Sequence, residues 1–174
     1  NQEDETFKLR YISAGPLATP ELATEQAFDE IVNFAQASRK GLGYVRSAIA
    51  EKNDEAFEEL RAKLVGNEEN SDKMEYEIAA FLNALSAGDI STATSVRVKA
   101  MYKIIGELES LGDSGEAISR ILSRRNIHRK SFDDATIKKL QDMTDAVDAA
   151  YAAMLHNLEA AHNGTLTDIT NAYN

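Results

Sequence analysis

A single long stretch, SVRVKAMYKIIGELESLGDSGEAISRIL over 95–122, limits this chain more than any other. Arg97, Met101, Ile104, Leu108, Leu111, Gly115, Ile118 and Leu122 recur at alternating spacings of four and three. That rhythm predicts one apolar seam on a long helix, with a small residue where a neighbour comes close. A second stripe runs beside it at the same spacings: Tyr102, Gly106, Glu109, Asp113, Glu116 and Arg120. Carboxylates three and four residues apart on one helix repel each other, so something must compensate them.

The same rhythm fills the rest of the chain. Thr19-Pro20-Glu21 is a helix start, with a capping hydroxyl, proline at the first helical position and an acid in the first turn. The first helix is predicted over 20–50, with Ala27, Ile31, Phe34, Leu42, Val45 and Ile49 on its seam. A second is predicted over 55–85, capped by Asp54, on Phe57, Leu60, Leu64, Asn67, Ser71, Met74, Ile78, Phe81 and Leu85. The third runs over 91–125, and a basic loop of Arg124, Arg125, His128, Arg129 and Lys130 leads to a fourth, from 131 or 133 to 162. Its seam is Ile137, Leu140, Val147, Tyr151, Met154 and Leu158. Strand-like alternation is confined to Phe7, Leu9 and Tyr11, read as a short strand or a segment laid over the bundle. Long helices joined by short turns predict an all-α, up-and-down antiparallel bundle. The expected organisation is an extended leader over 1–18, the bundle over 19–163 and the start of a fifth helix over 164–174, so the chain reads as an excised piece of a longer protein.

Composition narrows the function classes. A net charge of −10 over 174 residues argues against nucleic-acid partners and anionic lipid, and it suits cations. With no cysteine there are no disulfides, thiolate metal sites or cysteine nucleophiles. No apolar run approaches the roughly 20 residues of a membrane helix. Glu159 and His162 make one Glu-x-x-His pair, but a di-iron bundle needs two, and His128 and His156 have no partner at ligand spacing. The chain is therefore not expected to be an enzyme.

The chemistry-bearing feature is a repeated spacing. Glu68-x-x-x-Asp72-x-x-Glu75 and Glu109-x-x-x-Asp113-x-x-Glu116 fall on consecutive helices, each beside its apolar seam. Folding the two helices about the turn near Asp89 brings together residues whose numbers sum to about 179, so Glu109 stands at the height between Glu68 and Asp72. The same operation about Arg129 offers Asp145 and Asp148 as weaker members. Such carboxylates can face water, pair with Arg39, Lys73 or Lys103, or hold hard cations through oxygen ligands. Glu68, Asp72, Glu109 and Asp113 are the candidate metal ligands, for Mg²⁺, Ca²⁺, Mn²⁺ or ferric iron over zinc.

The stretch RVKAMYKIIGELESLGDSGEAISRI resembles the repeat signature of the PhoU family, with Glu109, Gly112, Asp113 and Ile118 at signature positions and Asp72 at the acidic position of the preceding helix. The lead-in FKLRYISAGPLATPEL looks like the junction that follows the membrane part of bacterial sodium/phosphate cotransporter-related proteins. The resemblance implies a regulatory domain at the cytoplasmic face of the bacterial inner membrane. Its partner would be the transporter portion of the same polypeptide, and it would hold divalent or ferric metal at the Glu/Asp-x-x-x-Asp motifs. A second copy of the chain would be a further partner. Two departures stand out: one full repeat with only the beginning of a second, and Ser114 where the family usually has histidine after the aspartate. The rival readings are a metal-free helical interaction module and, third, a carboxylate-bridged metalloenzyme.

Overall fold

The computed structural model describes residues 9, 10, 12, 19–127 and 131–162. The expected fifth helix, most of the leader and the loop residues His128, Arg129 and Lys130 lie outside the described residues. The fold is an all-α bundle of four long helices: α1 (Pro20–Ala50), α2 (Asp54–Ser86), α3 (Thr92–Ile127) and α4 (Asp134–His162). No strand occurs among the described residues. Leu9 packs against the core and the Ile12 amide donates to the carboxylate of the fully buried Glu30 (3.4 Å), so this part of the leader is laid over α1.

Each helix begins where its capping chemistry is. Thr19 Oγ1 accepts the Leu22 amide (3.3 Å) ahead of Pro20. Asn53, one residue before the expected cap, accepts the Ala56 amide through its side-chain oxygen (2.9 Å). Ser91 and Asp133 do the same for Thr94 and Thr136 (3.1 and 2.7 Å). Each bond satisfies one of the amides that the first turn leaves without a partner.

Cross-helix contacts give the direction of every helix. Arg97 meets Glu25 near the starts of α3 and α1, and Arg125 meets Ile49 near their ends, so these two run parallel. Tyr102, near the start of α3, donates to the Ala79 carbonyl near the end of α2 (3.3 Å), and along α1 Ser38 bonds Tyr151 (2.5 Å) while Arg46 meets Asp145, so α2 and α4 run the other way. The hub is α1. It packs against each of the other three, α2 and α3 also pack on each other, and α4 packs substantially on α1 alone. Burial follows: Ile31, Phe34, Ala35 and Val45 of α1 are wholly enclosed. One core cluster joins Ile31, Phe34 and Ala35 to Ile78, Leu82, Ile105 and Leu108, and a second gathers Val45, Ile49, Phe57, Leu64 and Leu122 at the other end.

The expected seam of α3 needs correction. Leu111 and Ile118 are exposed, at 43% and 39%. The buried line is Thr94, Val98, Met101, Ile105, Leu108, Ser119 and Leu122, with the half-buried Gly112 and Gly115 completing it. Both frames share Met101, Leu108, Gly115 and Leu122 and differ in which neighbour fills the alternate rows. Packing chose the smaller set, because α3 lies against two helices at once. At Gly115 an added Cβ would sit 3.6 Å from Val45, and at Gly112 it would sit 3.1 Å from the Glu68 carboxylate. Leucine and isoleucine in those rows would hold the helices apart. α1 and α2 close in the same way at Gly41, where a Cβ would meet Asn67 at 2.8 Å.

Candidate carboxylate face between α2 and α3

On α2, Glu68, Asp72 and Glu75 sit one turn apart along the edge of the buried line, and Glu109, Asp113 and Glu116 do so on α3. The antiparallel register sets Glu68 beside Gly112, which agrees with the fold-back expected about the turn near Asp89. Because α3 turns Gly112 into the interface, Glu109, Asp113 and Glu116 flank the contact on the α2 side. Leu111 and Ile118 are left on the opposite flank. Glu68 fits its carboxylate into the space that a side chain at position 112 would fill.

The electrostatics record the convergence. Glu68 is pushed up to about 7, first by burial and then by the negative charges of Asp72, Asp113, Glu116 and Glu109. Glu109 is raised as well, by burial, by the charges of Asp113 and Glu75, and by a hydrogen bond with Asp113; Ser110 opposes this weakly. Cation pairing relieves part of the face, since Arg120 bonds Glu116 one turn along α3 (3.2 Å). Arg39, an expected neutralising base, is instead engaged by Asp148. All four expected ligands stand on this face: Glu68 and Glu109 half-buried, Asp72 and Asp113 exposed. Glu75 and Glu116, left out of that ligand set, share the same field. The repeated Glu-x-x-x-Asp-x-x-Glu spacing was the signal for them.

Asp145 and Asp148 do not join the face. With α4 packed on α1, Arg39 Nε and Nη2 donate to both oxygens of Asp148 (2.7 and 2.8 Å). Arg46 grips Asp145 in the same two-pronged way. These hydrogen bonds hold both carboxyls below the usual aspartate range. Folding α4 back along α3 by register assumed that consecutive helices pair; the arginines of α1 and the Ser38–Tyr151 bond place α4 elsewhere.

Among the described residues, no three Asp, Glu or His side chains form a ready-made metal cage. The donor set is oxygen only and open to solvent. That suits a hard cation which keeps several waters and takes one or two carboxylates, and it does not suit a thiolate- or imidazole-seeking ion. The raised Glu68 takes up a proton near pH 7, and the carboxylate oxygens are the ones that could hold a hydrated cation.

Gly112→Ala tests the geometry. Alanine at a helix interior gains about 0.8–1 kcal/mol over glycine. Its Cβ has to move only the tip of the Glu68 side chain, 3.1 Å away, outward into water. The expected result is a melting temperature higher by about 1–3 °C, with Glu68 titrating closer to an ordinary glutamate by side-chain NMR. A lower melting temperature would mean that the carboxylate is pinned where it stands.

Geometry and charge thus define a carboxylate-faced helical bundle. Comparison with protein-family models, with curated proteins and with solved structures finds no match to this chain. No described helix is long and apolar enough to cross a membrane.

Proposed function

We propose that this chain is a regulatory PhoU-like domain of a sodium-dependent phosphate transporter-related membrane protein, and that the α2–α3 carboxylate face is its cation-responsive element. The observation that carries the reading is Glu68. Its pKa is pushed up to about 7 by burial and then by four carboxylates delivered from two consecutive helices, so added positive charge there relieves repulsion. The resemblance of 97–121 to the PhoU repeat signature supplies the class. On this reading Glu68, Asp72, Glu109 and Asp113 bind a divalent or ferric ion, and the transporter portion of the same polypeptide is the partner at the cytoplasmic face of the membrane.

A cation that binds the native face and not the unfolded chain stabilises the fold by mass action, by about 1.4 kcal/mol at ten times its dissociation constant. Thermal melting with Mn²⁺, Ca²⁺ or Fe³⁺ should rise by about 3–5 °C. Asp113→Asn and Glu109→Gln should each blunt the rise, and Glu69→Gln on the exposed side of α2 should not. A melting temperature unmoved by all three ions defeats the metal reading. The metal-free interaction module is favoured by a separate observation: a proton on Glu68 and the Arg120–Glu116 pair already offset part of the charge without metal.

A further inference from the structure

α4 is attached differently from α2 and α3. Those two bring whole apolar rows into the core, from Phe57 to Leu82 and from Val98 to Leu122. Among the described residues α4 gives it only Tyr151 and Leu155 as fully buried apolar side chains, with Thr144 as a buried hydroxyl, while Ile137, Leu140, Met154 and Leu158 pack on the core half-buried. What α4 has in addition is electrostatic. Arg39–Asp148 and Arg46–Asp145 clamp it to α1 along one edge, and all four side chains are 37–50% exposed. A cleft of about 600 Å³ between α1 and α4, lined by Arg39, Lys40, Asp148 and His156, brings solvent to the clamp. The Ser38–Tyr151 bond is the one buried polar pin described across the contact.

We propose that α4 is an ion-latched arm, which undocks from α1 as a unit while α1, α2 and α3 stay folded. Three features support it. Among the described residues α4 packs substantially on α1 alone, so its release leaves the α1–α2–α3 packing largely intact. Ion pairs this exposed are screened by salt, whereas the apolar rows that hold α2 and α3 are not. Segments with few buried apolar contacts open below the free energy of global unfolding. Release uncovers the Ser38 face of α1 and frees Tyr151, so the arm controls access to the hub helix.

Hydrogen exchange of the whole 174-residue chain, resolved by helix, tests this. At low ionic strength the central amides of α4 should exchange about tenfold faster than those of α1. Raising the salt to about 1 M should speed α4 further and leave α1, α2 and α3 within about twofold. The double variant Asp145→Asn/Asp148→Asn should show the fast α4 already at low salt and lose its salt response. Asp142→Asn, which breaks only the Lys138–Asp142 pair inside α4, should keep that response. A common exchange rate for α1 and α4, or an α4 rate indifferent to salt in the unaltered chain, overturns the proposal. So does a double variant that speeds all four helices alike.

Discussion

Arg125→Ala should cost the bundle about 3 kcal/mol, read as a melting temperature lower by about 6–12 °C. The side chain ties four segments together. Its Nη1 donates to the Ile49 carbonyl (2.9 Å) and its Nη2 to that of Glu51 (3.4 Å), oxygens that the end of α1 leaves without helical partners. The guanidinium lies 5.2 Å from the ring of Phe132, ahead of α4, and 6.0 Å from that of Phe57 in the first turns of α2. Burial lowers its pKa, so the charge is partly desolvated, and its hydrogen bonds count for more than surface ones. Arg125→Lys keeps the charge but lacks the planar fork that reaches two carbonyls and two rings, so it should recover less than half of the loss. Urea unfolding of the three proteins decides the matter. A loss under about 1 kcal/mol for the alanine variant would show Arg125 to be an ordinary solvated cap.

Glu68 should make the bundle weaker as the solution becomes less acidic. Its folded pKa, about 7, stands above the ordinary 4.5, so the folded state holds the proton more tightly than the unfolded chain does. The stabilisation this provides is complete below about pH 4.5 and is lost as pH rises through about 7. The full shift is discounted because Glu68 remains half open to water, which leaves about 1–2 kcal/mol. Unfolding free energy should thus fall by that amount between pH 5 and pH 8, and Glu68→Gln should remove most of the slope and be the more stable protein at pH 8. A slope unchanged in the variant would assign the dependence to other groups. Asp145, Asp148 and Asp133 work in the opposite window. Their folded pKa values are depressed, so what they contribute is present above about pH 4 and disappears in acid. Cations that bind the face should shrink the alkaline-side loss, and they have no such handle on the acid side.

The helices were legible in the sequence because the three/four rhythm and the caps act locally. Thr19, Pro20 and the apolar rows of α1 and α2 need no knowledge of the rest of the chain. The carboxylate face was legible for the same reason, with one antiparallel turn sufficing to set Glu68 against the region of Gly112. Two things were not. Sequence periodicity chose the wrong frame of α3, because Leu111 and Ile118 are more apolar than Gly112 and Ser119. The choice depended on how closely two neighbours approach, and there small volume outweighed hydrophobicity. The place of α4 was hidden too, since it rests on Arg39, Arg46 and Ser38, more than a hundred residues from their partners in two of the three pairs. Arg125 read as one member of a basic loop, although it reaches back to the end of α1.

The inward line of α3 returns every seven residues without a break, from Thr94 to Leu122 and from Val98 to Ser119. That periodicity restricts how the gene can change in length. Seven codons can be gained or lost within the helix while small residues still meet α1 and acids still meet α2. A single codon turns everything beyond it by about 100°, which would swing Asp113 and Glu116 off the edge shared with Glu68 and carry a bulkier row into the space the glycines keep clear. Length variants of this helix should therefore come in steps of whole heptads.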